Sequence, residues 1–163
     1  MFINKSLILF TIIFSFLIDL TSSLKCPQNW IDASHMELGC LNFNVTQEVT
    51  WTEAQKMCEK NNNNCHLVEI FSQFQQDYIS MMGYVIYEYT GVNFWWIGLT
   101  DVGRENQWFW SHSLKVADFT NWGSNEPDGN ITENYVSMNH GSGFKWADRN
   151  GVATCYAICQ FMP

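Results

Sequence analysis

Six cysteines, Cys26, Cys40, Cys58, Cys65, Cys155 and Cys159, constrain this chain more than any other feature. All of them follow an N-terminal stretch with the pattern of a removable address. Lys5 supplies a basic start, and Leu7 to Ile18 form an apolar run too short to span a bilayer. Asp19 ends that run, and Thr21-Ser22-Ser23 offers small residues for cleavage. The expectation is a signal peptide over residues 1–24, a secreted extracellular product, and one domain over residues 25–163. An even cysteine count in an oxidising compartment points to three disulfides, and spacing alone does not choose the pairing. A zinc site is the weaker reading, because the cysteines do not fall into two close-spaced knuckles.

The formal net charge is -8. A surface of that sign argues against nucleic acid or an anionic membrane as partner. No later stretch is apolar for long enough to insert into a bilayer, so no membrane insertion is expected.

Local patterns place the elements. The segment from Cys26 to Cys40 is short and reads as a hairpin. Thr50-Trp51-Thr52-Glu53 is a capping-box pattern and opens a helix with Trp51, Ala54 and Cys58 on one face. The asparagine run Asn61–Asn64 ends it. His66-Leu67-Val68-Glu69-Ile70 alternates as a strand, with His66 expected to point outward. Ser72 caps a second helix whose core face is expected to carry Phe74, Tyr78, Ile79 and Met82. Strands follow around 94–99, 108–110, 135–138, 144–146 and 156–161. Between them, 111–129 is rich in Asn, Gly and Ser and reads as one long loop. Loops of that length without secondary structure are usually functional or disordered. Tryptophan occurs eight times, and rings of that size mostly serve the core. Trp122, beside the acidic end of the loop, is also a candidate stacking surface for a ligand.

That acidic end is Glu126-Pro127-Asp128, with Glu133 and Trp146-Ala147-Asp148 downstream. Carboxylates clustered on a kinked loop suit a hard cation such as Ca²⁺, which takes oxygen ligands. Four ionised carboxylates at close quarters repel one another, and a divalent ion relieves that repulsion.

Read in order, these pieces resemble the C-type lectin domain over nearly the whole chain from Cys26 to Phe161. The matching residues are Cys26-Pro27 with Trp30, then Trp51, Ala54 and Cys58, then Leu67. Trp96-Ile97-Gly98-Leu99 and Trp108 with Trp110 follow. The series ends with Asn121-Trp122, Glu126-Pro127-Asp128, Trp146 with Asp148, and Cys159. The resemblance implies an α+β C-type lectin-like double-loop fold. It would have two helices, small antiparallel sheets and a long metal-binding loop. It implies disulfides Cys26–Cys40 and Cys58–Cys159, and leaves Cys65 and Cys155 as a third pair. The bridge that the family uses at the base of its long loop is absent, since Tyr135 and Gly151 stand at those positions.

The same resemblance assigns Glu126, Asp128, Glu133 and Asp148 to both Ca²⁺ and carbohydrate. It implies a cis peptide before Pro127, and an auxiliary cation site at Asp101 and Glu105 is weighed and disfavoured. In the family, two neighbouring sugar hydroxyls coordinate the ion directly. Mannose-type sites carry Glu-Pro-Asn and galactose-type sites Gln-Pro-Asp, whereas this chain carries Glu-Pro-Asp. Ala147 stands where the family usually places Asn. Ionised carboxylates only accept hydrogen bonds, so this set gives a sugar no side-chain donor.

The expected function is therefore a secreted, Ca²⁺-dependent lectin for glycans or glycoproteins, in innate immune or surface recognition. The alternative is a lectin-like domain for a protein ligand or an extended surface, with a degenerate metal site. Oligomeric state is not legible. Asn44 and Asn130 begin glycosylation sequons. No nucleophile elbow or His-Glu-x-x-His pattern occurs, so an enzyme is not expected.

Overall fold

The computed structural model describes residues 26–60, 64–128 and 131–163. The expected signal peptide, most of the asparagine run and the Asn130 sequon lie outside those residues. Strand β1 (Ile31–Asp32) pairs with the long strand β2 (Cys40–Val49), giving the expected hairpin. Helix α1 (Trp51–Glu59) follows at once. The Glu53 carboxylate accepts the Thr50 N–H at 2.9 Å, which closes the capping pattern read in the sequence. Trp51, Ala54 and Cys58 are buried, as their spacing required.

After β3 (Cys65–Leu67), Ser72 accepts the Gln75 N–H and starts helix α2 (Gln73–Thr90), which ends at Gly91 in a left-handed conformation. Its core face meets the expectation at Ile79 and, partly buried against the core, at Tyr78, and departs from it at Phe74. Ile79 is fully buried, together with Gln75, Gln76 and Gly83, whereas Phe74 is 64% exposed. Phe74 and Ile79 are five residues apart, which on an α-helix separates them by about 140°. The helix can bury one of those faces but not both. Gly83 marks the tightest approach: a Cβ there would lie 2.4 Å from the Phe144 ring.

Strands β4 (Phe94–Thr100), β5 (Phe109–Trp110), β6 (Tyr135–Asn139), β7 (Lys145–Arg149) and β8 (Cys155–Phe161) complete the fold. They form one sheet with the order β1-β2-β8-β4-β6-β7, with β3 on β8 and β5 on β4. Among the strands of the described residues, β4 and β8 are the parallel pair, with Trp95 opposite Tyr156 and Trp96 opposite Ala157. The class is α+β with two helices, as expected.

Tryptophans join the layers through their N–H groups. Trp51 donates to Ile97 O and Trp96 to Val49 O, each at 2.8 Å. Trp146 donates to Gln76 Oε1 at 2.8 Å, and Gln76 in turn donates to Phe144 O. Buried polar groups of this kind stabilise only when partnered.

Cys26–Cys40 and Cys58–Cys159 are disulfides. The third expected bridge is not formed: Cys65 and Cys155 are free and buried. Strand register explains why. Cys65 sits opposite Phe161, whereas Cys155, at the other end of β8, sits opposite Val49. Six residues of strand separate those positions by about 20 Å. A disulfide needs Cα atoms within about 7 Å.

His66 also departs from expectation. It is 3% exposed and stacks on His112 with ring centroids 3.8 Å apart. The root of the long loop folds over this strand, so no outward face remains. Ser111 N–H reaches Gly98 O, and His112 and Ser113 donate their N–H groups to the buried Glu69 carboxylate. Burial, ahead of the neighbouring His112, pulls the His66 pKa down.

Candidate metal centre

The acidic segments meet because the loop is tied to β7 at its far end. Trp122 bridges Trp146 as a one-residue parallel pair, with Trp146 N–H on Asn121 O and Gly123 N–H on Trp146 O. Asn121 itself is 7% exposed, and its amide faces Phe144 O and the Lys145 ammonium. Trp122 packs edge-on against both Trp108 and Trp146, with centroids 4.9 and 5.8 Å away. Those ring contacts make it an anchor of the loop rather than the open stacking platform considered from the sequence.

A tight turn then runs from Gly123 to Glu126, closed by the Glu126 N–H on Gly123 O, with Asn125 in a left-handed conformation. The Glu126–Pro127 peptide is cis. Asp128 N–H reaches back to Asp148 Oδ1 at 3.4 Å. From the other side, β6 and β7 supply the partners. Asp148 on β7 is opposite Val136, and Glu133 lies two residues before β6 begins at Tyr135. Carboxylate oxygens of Asp128, Glu133 and Asp148 come within 4.8 Å of one another. This is the only such cluster of three or more ligating groups among the described residues.

Glu126 stands beside them. Burial first, then the hydrogen bond and charge of Asp148, push its carboxyl from 4.5 up to about 7, against a smaller pull from Arg149. Glu133 is raised too, by burial and then by the charges of Asp128 and Asp148. Clustered acids whose protons are hard to remove are what a divalent cation stabilises in ionised form. The donor set therefore fits Ca²⁺. Ala147, 7% exposed and opposite Ser137, adds no side-chain oxygen.

The auxiliary position does not assemble among the described residues. Asp101 is buried and its Oδ2 accepts the Asn106 N–H at 2.8 Å, while Glu105 is exposed. Asp101 closes its own turn instead. Asn44 lies on β2 with its Oδ1 accepting the Thr46 N–H and hydroxyl. Sequence reasoning missed Glu69, which holds the loop root. An acid inside Leu67-Val68-Glu69-Ile70 was the available signal.

Residues 47–161 match the family model for the lectin C-type domain, and the chain belongs to the C-type lectin family. The C-type lectin lectoxin-Enh5 of Pseudoferania polylepis is 31% identical over 140 residues, covering 84% of each chain. Among solved structures, the C-type lectin CEL-I from Cucumaria echinata superposes with a TM-score of 0.71. It is 25% identical and covers 85% of this chain and 98% of its own. A Ca²⁺-dependent type II antifreeze protein in its Ca²⁺-free form gives a TM-score of 0.69 at 28% identity. That match covers 83% of this chain and 98% of the other.

Proposed function

We propose that this chain is a secreted, Ca²⁺-dependent carbohydrate-binding module that recognises glycans or glycoproteins. The convergence of Asp128, Glu133 and Asp148, with Glu126 against Asp148, carries this reading. The lectin relatives support the carbohydrate part of it. When bound, Ca²⁺ supplies a concentrated positive charge and coordination positions for two neighbouring sugar hydroxyls. Glu126 and Asp128 would accept hydrogen bonds from those hydroxyls, and Glu133 and Asp148 would hold the ion from the sheet side. With acid on both sides of Pro127 and Ala147 in place of an amide, the residues discriminate poorly between mannose-like and galactose-like hydroxyl pairs.

The missing amides also favour a second reading, in which the same loop engages a protein or an extended surface. Similarity to a Ca²⁺-dependent antifreeze protein supports it. No helix among the described residues is long and apolar enough to cross a membrane, which is compatible with either.

Calorimetric Ca²⁺ titration of the protein and of Glu126→Ala, followed by a glycan array with and without EDTA, tests both. The expected outcome is saturable Ca²⁺ uptake, weakened in Glu126→Ala, with EDTA-sensitive sugar retention. Uptake without sugar retention transfers the assignment to the second reading. Absence of uptake by the unaltered protein removes the metal from both.

A further inference from the structure

A separate cleft opens between the turn after β4 and the hairpin that contains β5. The turn is set by its own backbone: Arg104 N–H reaches Asp101 O at 2.8 Å and Gln107 N–H reaches Arg104 O at 2.9 Å. Across from it, Phe109 bridges Val116, and Leu114 N–H closes on Trp110 O. The space between them is about 350 Å³, at the small end of ligand pockets. Val102, Gln107, Phe109, Leu114, Val116 and Arg104 line it.

Three of those apolar side chains are left in water: Val102 is 48% exposed, Val116 69% and Leu114 73%. Leu114 is held in place by an unfavourable backbone, with φ at 57°. Non-glycine residues in that region are uncommon and cluster at sites of function. The one charge in the wall is Arg104. Among the described residues its guanidinium has no carboxylate partner and no hydrogen bond, in a chain of net charge -8. Glu105, next in the chain, does not line the cleft.

We propose that this cleft binds a single-chain anionic amphiphile, an alkyl carboxylate, with Val102, Leu114 and Val116 covering the chain and Arg104 gripping the head. A guanidinium forks onto a carboxylate with two parallel hydrogen bonds, which a neutral head cannot reciprocate. An anionic bilayer is the poorer source of such a group, because the protein's net charge repels a surface of that sign. The site shares no residue with the acidic cluster and does not depend on the metal.

The test is calorimetric titration of the protein, in EDTA, with sodium hexanoate, octanoate and decanoate below their micellisation range. One saturable site is expected, tightening about three- to fourfold for each added methylene that is buried. Arg104→Gln should weaken decanoate by about tenfold or more, the loss expected for a charge-assisted hydrogen bond. It should leave decanol unchanged. Leu114→Ser should flatten the dependence on chain length. Circular dichroism confirms that each variant is folded, and both substitutions lie on the surface. Three results would overturn the proposal. They are lack of saturation, equal decanoate affinity in folded Arg104→Gln, and Arg104-dependent retention on phosphatidylglycerol vesicles, which would assign the site to a membrane.

Discussion

The two ends of this sheet hold themselves together by opposite means. At the β2, β8 and α1 end, the contacts that join helix to sheet are covalent or neutral. Cys58–Cys159 ties helix to strand, and Trp51 and Trp96 exchange hydrogen bonds across the layer with Ile97 O and Val49 O. At the loop end the polar groups are charged, crowded and incompletely compensated. Asp128, Glu133 and Asp148 share a small space, and Glu126 keeps a proton that an exposed carboxyl would have lost. A frame tied by a covalent bridge and neutral hydrogen bonds, with Gln55 Oε1 and Trp95 Nε1 as its unpartnered buried atoms among the described residues, can carry a loop whose charges are not compensated. The stored repulsion is then available to a cation.

The largest expected effect tests the frame. Removing the Cys58–Cys159 bridge by the double substitution to Ala frees a segment with a sequence separation of 101. Chain entropy alone then costs about 4 to 5 kcal/mol, measured by denaturant unfolding. Loss well below that would place the stability of this end in its tryptophans. Alkylation of the unfolded, unreduced protein should meanwhile label two thiols, Cys65 and Cys155, by mass. In the folded protein both should resist, since burial pushes their pKa values up to about 11 and about 12.

The frame was largely legible in the sequence because its signals are local. A capping box, a serine cap and alternation each act within a few residues. What could not be read depends on register between distant strands. Whether Cys65 can reach Cys155 is decided by which residue of β8 Cys65 faces, and it faces Phe161 at the end of the strand away from Cys155. Likewise, nothing near His66 announces that residues 111–113 will cover it. On α2 the exposure of Phe74 is not legible, because Phe74 and Ile79 are equally apolar and only the position of Phe144 selects between their faces. At the acidic site the residue types carried the chemistry, but not which acids would share a proton.

The junction between the two regions gives the next effect. Glu69 is 4% exposed and its carboxylate takes two loop N–H groups, at 3.2 Å from His112 and 2.9 Å from Ser113. Hydrogen bonds to a buried charge are worth about 1.5 to 3 kcal/mol. Glu69→Ala should lose roughly that much. It should also raise amide hydrogen exchange across residues 111–113, while exchange in α1 rises only by as much as the loss of global stability requires. Uniform acceleration of both would mean that loop and frame open as one unit, and the comparison between them would fail.

The smallest effect is the most specific to the loop end. In the folded chain Glu126 titrates at about 7, against an ordinary value of 4.5. Between those two values the folded protein holds a proton that the unfolded chain has already released. Stability from this group therefore falls as pH rises through that window and levels off above it. The shift of Glu133 acts in the same sense. His66, lowered by burial, acts in the opposite sense below 6.5. The informative quantity is thus the difference between the unaltered protein and Glu126→Gln, which cancels the histidine. In metal-free buffer the variant should melt progressively higher than the unaltered protein as pH goes from about 5 to about 7. Partial exposure of Glu126 and screening by salt keep that difference small. Saturating Ca²⁺ should reverse the order, because the unaltered protein then gains a ligand interaction that the glutamine lacks. If the two melting curves stay parallel across the window, with and without Ca²⁺, Glu126 does not share the charge of the cluster.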